Sequence, residues 1–255
     1  MNYFIYNMVM IKNLLKENII EVADYTATYL SNKNYGLFLD TLKPILDSKC
    51  SFSKLDIIGK RIGYNLKDFP ELVVKGFDIL IQYNKMGSYV ISSQGLTELL
   101  PENIDLVMEK SKEYILFGDK WYVCDIIGER SIGKSLVDYF DITLPWIERF
   151  LGDESNWIKR TAGVSIHFFN KRVINEKERT LLLLNILEPH IEEKQIDAVK
   201  GIGWGLKTIG KYHPDMLTSF LLKQLNMNKK ISKILLRKAL TYLPVEKREE
   251  IVSIV

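Results

Sequence analysis

The fold is indicated by the segment RTAGVSI at residues 160–166, which recurs as KGIGWGL at residues 200–206 and as KALTYL at residues 238–243. Each copy begins with a basic residue and continues with small and apolar residues, and the copies start 40 and 38 residues apart. A period of this length is typical of paired-helix repeats of the HEAT and armadillo type, in which each pair buries its apolar face against the next. We therefore predict an α-α superhelix, or solenoid, of HEAT-like repeats.

Helical periodicity extends over most of the chain. Apolar residues recur at three- and four-residue spacings in IIEVADYTATYLSNK (19–33), ELVVKGFDILIQY (71–83) and DMLTSFLLKQL (215–225), whereas the two-residue alternation of strands is scarce. We predict an all-α protein with one domain over residues 1–255 and an amphipathic helix over residues 1–20. Breaks between helices are expected where turn-forming residues cluster, at residues 31–34, 68–70, 101–103, 152–155 and 213–215.

Three glycines, Gly163, Gly203 and Gly205, fall inside the predicted helices of the repeat. In a helix interior, glycine costs about 1 kcal/mol relative to alanine. Close packing between successive repeats explains why such glycines are tolerated, since no side chain then separates the two helices. We expect this packing at all three positions.

Composition indicates a globular protein without a metal or cofactor. Of the 255 residues, 47% are hydrophobic and 26% are charged, which allows a substantial buried core. Cys50 and Cys124 form no CxxC pair, and the three histidines show no HxxxH spacing, so no zinc site is expected. No apolar stretch reaches the about 20 residues of a membrane-spanning helix. We expect a monomer in the reducing cytoplasm, with no membrane partner.

Positive charge is concentrated towards the C-terminal end. The chain carries a net charge of +3, but residues 201–255 contain ten lysines and arginines against four acidic residues, a net charge of +6. A basic segment on an otherwise nearly neutral protein is typical of a phosphate-binding face, although a solvated lysine-rich helix has the same composition. The charge distribution is therefore compatible with a nucleic-acid partner.

Four residues in three segments form the candidate site. Trp121 and Asp125 lie in GDKWYVCDIIGERSIGKSL (118–136), Arg160 lies in NWIKRTAGVSIHFF (156–169), and Trp204 lies in KGIGWGLKTIGK (200–211). Because Trp121 and Asp125 are four residues apart, both project from one face of one helix. Each residue also has an ordinary structural interpretation: the tryptophans as packing residues, Asp125 as a solvated or helix-capping acid, and Arg160 as a bridge between adjacent helices.

A possible nucleotide site is the run GERSIGKS (128–135), which fits the GxxxxGKS pattern of P-loops. Such a loop follows a buried β-strand, whereas the preceding WYVCDII belongs to a helical region. The sequence downstream also lacks an evident Walker B motif, which is a β-strand that ends in an aspartate. We therefore expect no nucleotide binding here.

The motif W-x-x-x-D, followed about 35 residues later by W-[IL]-[KR]-R-T-A and then by GWGLK, resembles the DNA alkylation repair glycosylases of the AlkD family. The resemblance extends from about residue 104 to residue 248. It implies HEAT-like repeats with a concave, basic face that binds double-stranded DNA containing alkylated bases, so the protein would associate with the nucleoid when bound to DNA. It also implies that Trp121, Asp125 and Arg160 are catalytic and that Trp204 contacts DNA.

The chemistry of these residue types agrees with base excision. Alkylation at N3 or N7 makes a purine cationic and therefore a good leaving group, so the main requirement is to stabilise positive charge on the sugar. Asp125 is suited to this task and to aligning water, while an indole face attracts a cation by about 0.5–2 kcal/mol. Arg160 is expected to hold a phosphate, with Lys159 and Lys207 as further phosphate contacts. The alternative is a non-catalytic HEAT-repeat module that binds DNA or protein through the same face.

Overall fold

The computed structural model describes residues 16–254. Over this range the protein consists of helices and their connections without any β-strand, which confirms the all-α prediction. The predicted helix over residues 1–20 lies outside the described residues except for its last five positions, which belong to a helix. Among the helices of residues 16–254, none has the length and apolar character required to cross a bilayer.

The chain divides into two compact units, Met1–Gly118 and Asp119–Val255. The prediction that both belong to one domain stays a prediction. The helices in the described part of the first unit are α1 (Lys16–Ser31), α2 (Tyr35–Leu46), α3 (Phe52–Asn65), α4 (Pro70–Gln82), α5 (Met86–Leu96) and α6 (Ile104–Gly118). Alternate helices stack on one another, so that α3 packs against both α1 and α5 and α2 packs against α4.

The second unit is built in the same way. Its helices are α7 (Trp121–Ile127), α8 (Gly133–Asp138), α9 (Phe140–Leu151), α10 (Asn156–Arg172), α11 (Lys177–Leu187), α12 (Ile196–Tyr212), α13 (Pro214–Asn226), α14 (Lys233–Ala239) and α15 (Val245–Val252). Helix α10 packs against α7, α8 and α12, and α12 packs against α14. Among the intervening helices, α9 packs against α11 and α13 packs against α15. The first two copies of the sequence repeat lie within α10 and α12, and the third begins in the last two residues of α14 and continues into the 3-10 turn Leu240–Tyr242. The stacking of α10, α12 and α14 confirms paired-helix repeats in this unit.

The helix boundaries follow the predicted turn chemistry. Each of the five predicted breaks separates two helical segments. Helices α4 and α13 begin at Pro70 and Pro214, where proline fits because the first turn of a helix needs no N–H donor.

Glycines bring stacked helices into backbone contact. A Cβ atom added to Gly163 of α10 would overlap the carbonyl group of Gly201 in α12, and one added to Gly205 would lie 3.0 Å from the carbonyl oxygen of Gly163. Gly203 instead receives the side chain of Lys238, whose Cδ would lie 2.8 Å from an added Cβ. The predicted backbone packing between repeats is confirmed at Gly163 and Gly205, whereas at Gly203 a lysine side chain of α14 lies between the helices. The contact of Gly163 with Gly201 sets the spacing of α10 and α12, which carry Arg160 and Trp204.

Candidate functional site

Helix α7 presents Trp121 at its first turn and Asp125 one turn later. Trp121 is 58% exposed, so its interpretation as a core residue is wrong. The ring meets Tyr122 edge-on, with centroids 5.9 Å apart and planes at 86°. Trp121 therefore offers a largely open indole to solvent.

Arg160 of α10 holds Asp125 through two hydrogen bonds. Nε and Nη2 of Arg160 each donate to one carboxylate oxygen at 3.0 Å. The side chains are 9% exposed for Arg160 and 18% for Asp125, so the aspartate is not a solvated acid. Nη1 of Arg160 lies 3.8 Å from Oδ1 of Asp197 on α12. Arg160 thus bridges three helices. Its guanidinium pairs with carboxylates and is not free to bind a phosphate as expected, because a nearly buried cation requires an opposite charge.

A second hydrogen bond joins α10 to the start of α7. Nε1 of Trp157 donates to Oδ1 of Asp119 at 2.6 Å. Asp119 has a φ of 47°, in the left-handed region that aspartate and asparagine enter more readily than most other residues. Trp157 is the first residue of the W-[IL]-[KR]-R-T-A motif but was assigned no role in the site, although its position three residues before Arg160 places both side chains on one face of a helix.

Trp204 of α12 stacks on a histidine. The rings of Trp204 and His167 stack with centroids 4.2 Å apart and planes at 24°. Nδ1 of His167 lies 2.6 Å from Oγ1 of Thr208, and Nε2 lies 3.7 Å from Oε1 of Glu129. Burial, reinforced by nearby cations, lowers the pKa of His167 to about 4, so the imidazole is neutral at pH 7. One side of the half-buried Trp204 is therefore covered by an uncharged ring.

The two lysines expected to contact phosphate differ in their surroundings. Nζ of Lys159 donates to Oε2 of Glu193 at 2.9 Å, and the two side chains are only 20% and 11% exposed. The charge of Lys159 is thus already neutralised by a largely desolvated partner. Nζ of Lys207 instead lies over the ring of Tyr242, 4.7 Å from its centroid. The geometry leaves Lys207 available to an anion and engages Lys159 within the protein.

Lys238 of α14 adds a cation that the sequence motifs of the site do not include. Its side chain lies across Gly203, next to Trp204 in α12. Burial lowers the pKa of Lys238, and Lys207 and Arg160 lower it further by charge repulsion. No ion pair joins Lys238 to another residue in the range 16–254. Because this positive charge has no carboxylate partner there, an anion bound beside it would relieve the repulsion.

The run that fits the P-loop pattern is helical. Gly128–Ile132 form a π-helical turn that continues into α8, and Nζ of Lys134 donates to Oδ2 of Asp138 at 2.6 Å. An added Cβ at Gly128 would lie 2.9 Å from Val164, so this glycine serves helix packing. The N–H groups of this run point along a helix and do not form a phosphate cradle.

The family model of the DNA alkylation repair enzymes matches residues 89–243. The match covers more than half of the chain and includes α7, α10 and α12, which carry the candidate site. The chain belongs to the DNA alkylation repair enzyme family. Searches of curated proteins and of solved structures find no match.

As a DNA alkylation repair enzyme, the protein acts in the repair of alkylated DNA. Membership confirms the resemblance drawn from the W-x-x-x-D, W-[IL]-[KR]-R-T-A and GWGLK motifs, all of which lie within the matched residues. The candidate site of this repair enzyme thus contains the ion pair of Asp125 and Arg160, the exposed indole of Trp121, and Trp204 stacked on His167.

Proposed function

We propose that this DNA alkylation repair enzyme is a DNA glycosylase, which hydrolyses the N-glycosidic bond of purines alkylated at N3 or N7 in duplex DNA. The observation that carries the proposal is a carboxylate fixed beside an exposed aromatic ring. Arg160 holds both oxygens of Asp125 at 3.0 Å, and Trp121 stands one helical turn away with 58% of its surface exposed.

The reaction requires little acid catalysis. As the bond between C1′ and the purine nitrogen breaks, its electron pair leaves with the cationic base, which departs as a neutral alkylpurine. Positive charge then develops on the sugar, where Asp125 stabilises it electrostatically. A water molecule forms the new bond to C1′ and releases a proton to solvent, which leaves an abasic site.

The contact with Arg160 suits Asp125 to this role. Each carboxylate oxygen has two lone pairs, and Arg160 occupies one on each oxygen. The other lone pairs remain for the sugar or for the attacking water. Because the guanidinium is itself held between helices, the carboxylate is oriented before the substrate binds, which is the condition for electrostatic catalysis without reorganisation.

DNA contacts are provided by residues on the neighbouring helices. The indoles of Trp121 and Trp204 offer polarisable faces to the sugar and to a cationic lesion. Lys207 and Lys238 lie on α12 and α14 without a carboxylate partner among the described residues, and we assign them to the phosphates beside the lesion. Binding through several phosphates should weaken steeply as the salt concentration rises.

Base release tests the proposal directly. Purified protein is incubated with methylated duplex DNA in the presence of EDTA and without nucleotide. Free 7-methylguanine or 3-methyladenine should appear, together with an equal number of abasic sites. Binding of the DNA without release of either base would overturn the assignment.

A non-catalytic DNA-binding module is the second candidate, and one observation favours it. The bond between Asp125 and Arg160 links α7 to α10 whatever the chemistry of the site, so a purely structural bridge would show the same geometry. Such a module binds duplex DNA in a salt-dependent manner but releases no base, which the same experiment distinguishes.

A further inference from the structure

We infer that Trp157 is a positioning residue of this site, because its indole N–H fixes Asp119 and thereby the start of helix α7. Helix α7 carries both Trp121 and Asp125. The inference rests on the proposed glycosylase function and deepens it by naming a residue that sets the geometry of the groups facing the sugar.

Helix α7 has few means of fixing its own start. Lys120 at its N-cap makes no side-chain capping hydrogen bond. The helix continues through Gly128–Ile132 into α8, so the following turns hold its C-terminal end and only its N-terminal end is open to fraying. Trp121 is 58% exposed, so packing does not enclose it. The direction of Trp121 therefore depends on the backbone at residues 119 and 120.

Two hydrogen bonds from one face of α10 hold α7 in place. Trp157 donates to Asp119 at 2.6 Å, and one turn later Arg160 donates to Asp125 at 3.0 Å. The two acceptors lie on either side of Trp121 along the chain. The buried residues of α7 pack it against α10, and the two bonds add fixed points before and after the exposed Trp121.

The conformation of Asp119 increases the importance of its hydrogen bond with Trp157. Its φ of 47° is in the left-handed region, which a residue with a side chain occupies only when its surroundings favour it. Without the bond to Trp157, Asp119 can relax towards more common conformations and shift the first turn of α7. Displacement of a catalytic group by about 1 Å is enough to reduce a rate by about 10²-fold.

Substitution of either partner tests the inference. Trp157→Phe and Asp119→Ala both remove the bond, and each should lower the single-turnover rate of base release by about 10-fold or more. The dissociation constant for duplex DNA should stay within about 2-fold, because no DNA contact is removed. The double variant should be no slower than Asp119→Ala, since both substitutions remove the same hydrogen bond and only Asp119→Ala also strains the left-handed backbone.

A conservative change and a matched tryptophan provide the controls. Asp119→Asn keeps an acceptor oxygen and the tolerance of left-handed φ, so it should restore the rate to near that of the wild type. Trp146→Phe alters a tryptophan that is 9% exposed on α9 and should leave the rate unchanged. Multiplicative losses in the double variant, no recovery in Asp119→Asn, or loss of DNA binding in place of rate would each overturn the positioning role.

An NMR measurement separates this inference from the proposed function. In protein labelled with ¹⁵N-tryptophan, the Nε1–H signal of Trp157 should exchange slowly with solvent, and Asp119→Ala should make it exchange rapidly while moving the signal of Trp121. A wild type that releases no base refutes the glycosylase, yet the NMR result still stands. A Trp121 signal that does not move when the bond is lost refutes the positioning role alone.

Discussion

Replacing Asp125 with asparagine tests the central pair of the site. The side chain keeps its shape, but the amide can accept from Arg160 through one oxygen only, and its NH₂ group faces a donor. The Arg160 side chain, which is 9% exposed, then retains only Asp197, at 3.8 Å, as a nearby carboxylate among residues 16–254. Leaving a buried charge without its partner costs about 3–5 kcal/mol, and we expect about 2–3 kcal/mol here because Asp197 and partial exposure compensate in part. Such a loss corresponds to a fall of about 5–10 °C in the melting temperature.

The effect on catalysis should be much larger than the effect on stability. At 25 °C the variant is expected to remain folded, so its rate reports the lost charge opposite the sugar. Removal of one electrostatic contact to a transition state lowers turnover by about 10²–10³-fold. The assay is single-turnover release of 7-methylguanine from methylated DNA, with circular dichroism to verify folding and fluorescence anisotropy to measure DNA binding.

Asp197→Asn is the matched control. It removes a carboxylate near the same guanidinium but leaves both bonds between Arg160 and Asp125 in place. We expect a rate within about 3-fold of the wild type for this variant. If Asp125→Asn released base at the wild-type rate, or lost DNA affinity as strongly as it lost rate, the catalytic role of the carboxylate would be refuted.

Three further predictions follow from packing, protonation and charge. Gly163→Ala should lower the free energy of unfolding by more than about 3 kcal/mol, because its Cβ would overlap the backbone of α12, whereas Gly152→Ala, whose nearest atom lies at 3.7 Å, should have little effect in thermal denaturation. Stability should fall as the pH drops from 6.5 towards 4, because the folded-state pKa of His167 is lowered to about 4 and the unfolded chain therefore binds the proton first. The loss from this residue should be about 1–2 kcal/mol, and a urea-denaturation profile that stays the same in His167→Gln would contradict it. Lys207→Gln should reduce the slope of log affinity against log salt by about 0.9, whereas Lys159→Gln, which removes a lysine already paired with a carboxylate, should leave the slope unchanged.

Local features of the fold were predictable because they depend on neighbouring residues. Helical periodicity gave the all-α class, and prolines at residues 70 and 214 marked helix starts. The glycines of the repeat also indicated close packing, since their cost in a helix needs a compensating contact. The division of the chain at Gly118 was not predicted. It depends on contacts between distant segments, which no local pattern reports.

For the candidate site, too, local geometry was predictable and contacts between distant segments were not. The common face of Trp121 and Asp125 follows from helix geometry alone. The contact between Asp125 and Arg160 spans 35 residues, so it appears only once α7 is known to stack on α10. For that reason the sequence alone predicted phosphate contacts for Arg160 and Lys159, whereas both side chains form ion pairs with carboxylates within the protein.

The backbone contact between Gly163 and Gly201 has a consequence for how this enzyme can change. Arg160 and Trp204 project from α10 and α12, two helices whose separation is fixed by main-chain atoms. Substitution of side chains at the site can therefore alter its chemistry without altering the distance between α10 and α12. Substrate range can be varied by such substitutions at a constant helix spacing, as long as those two glycines are kept.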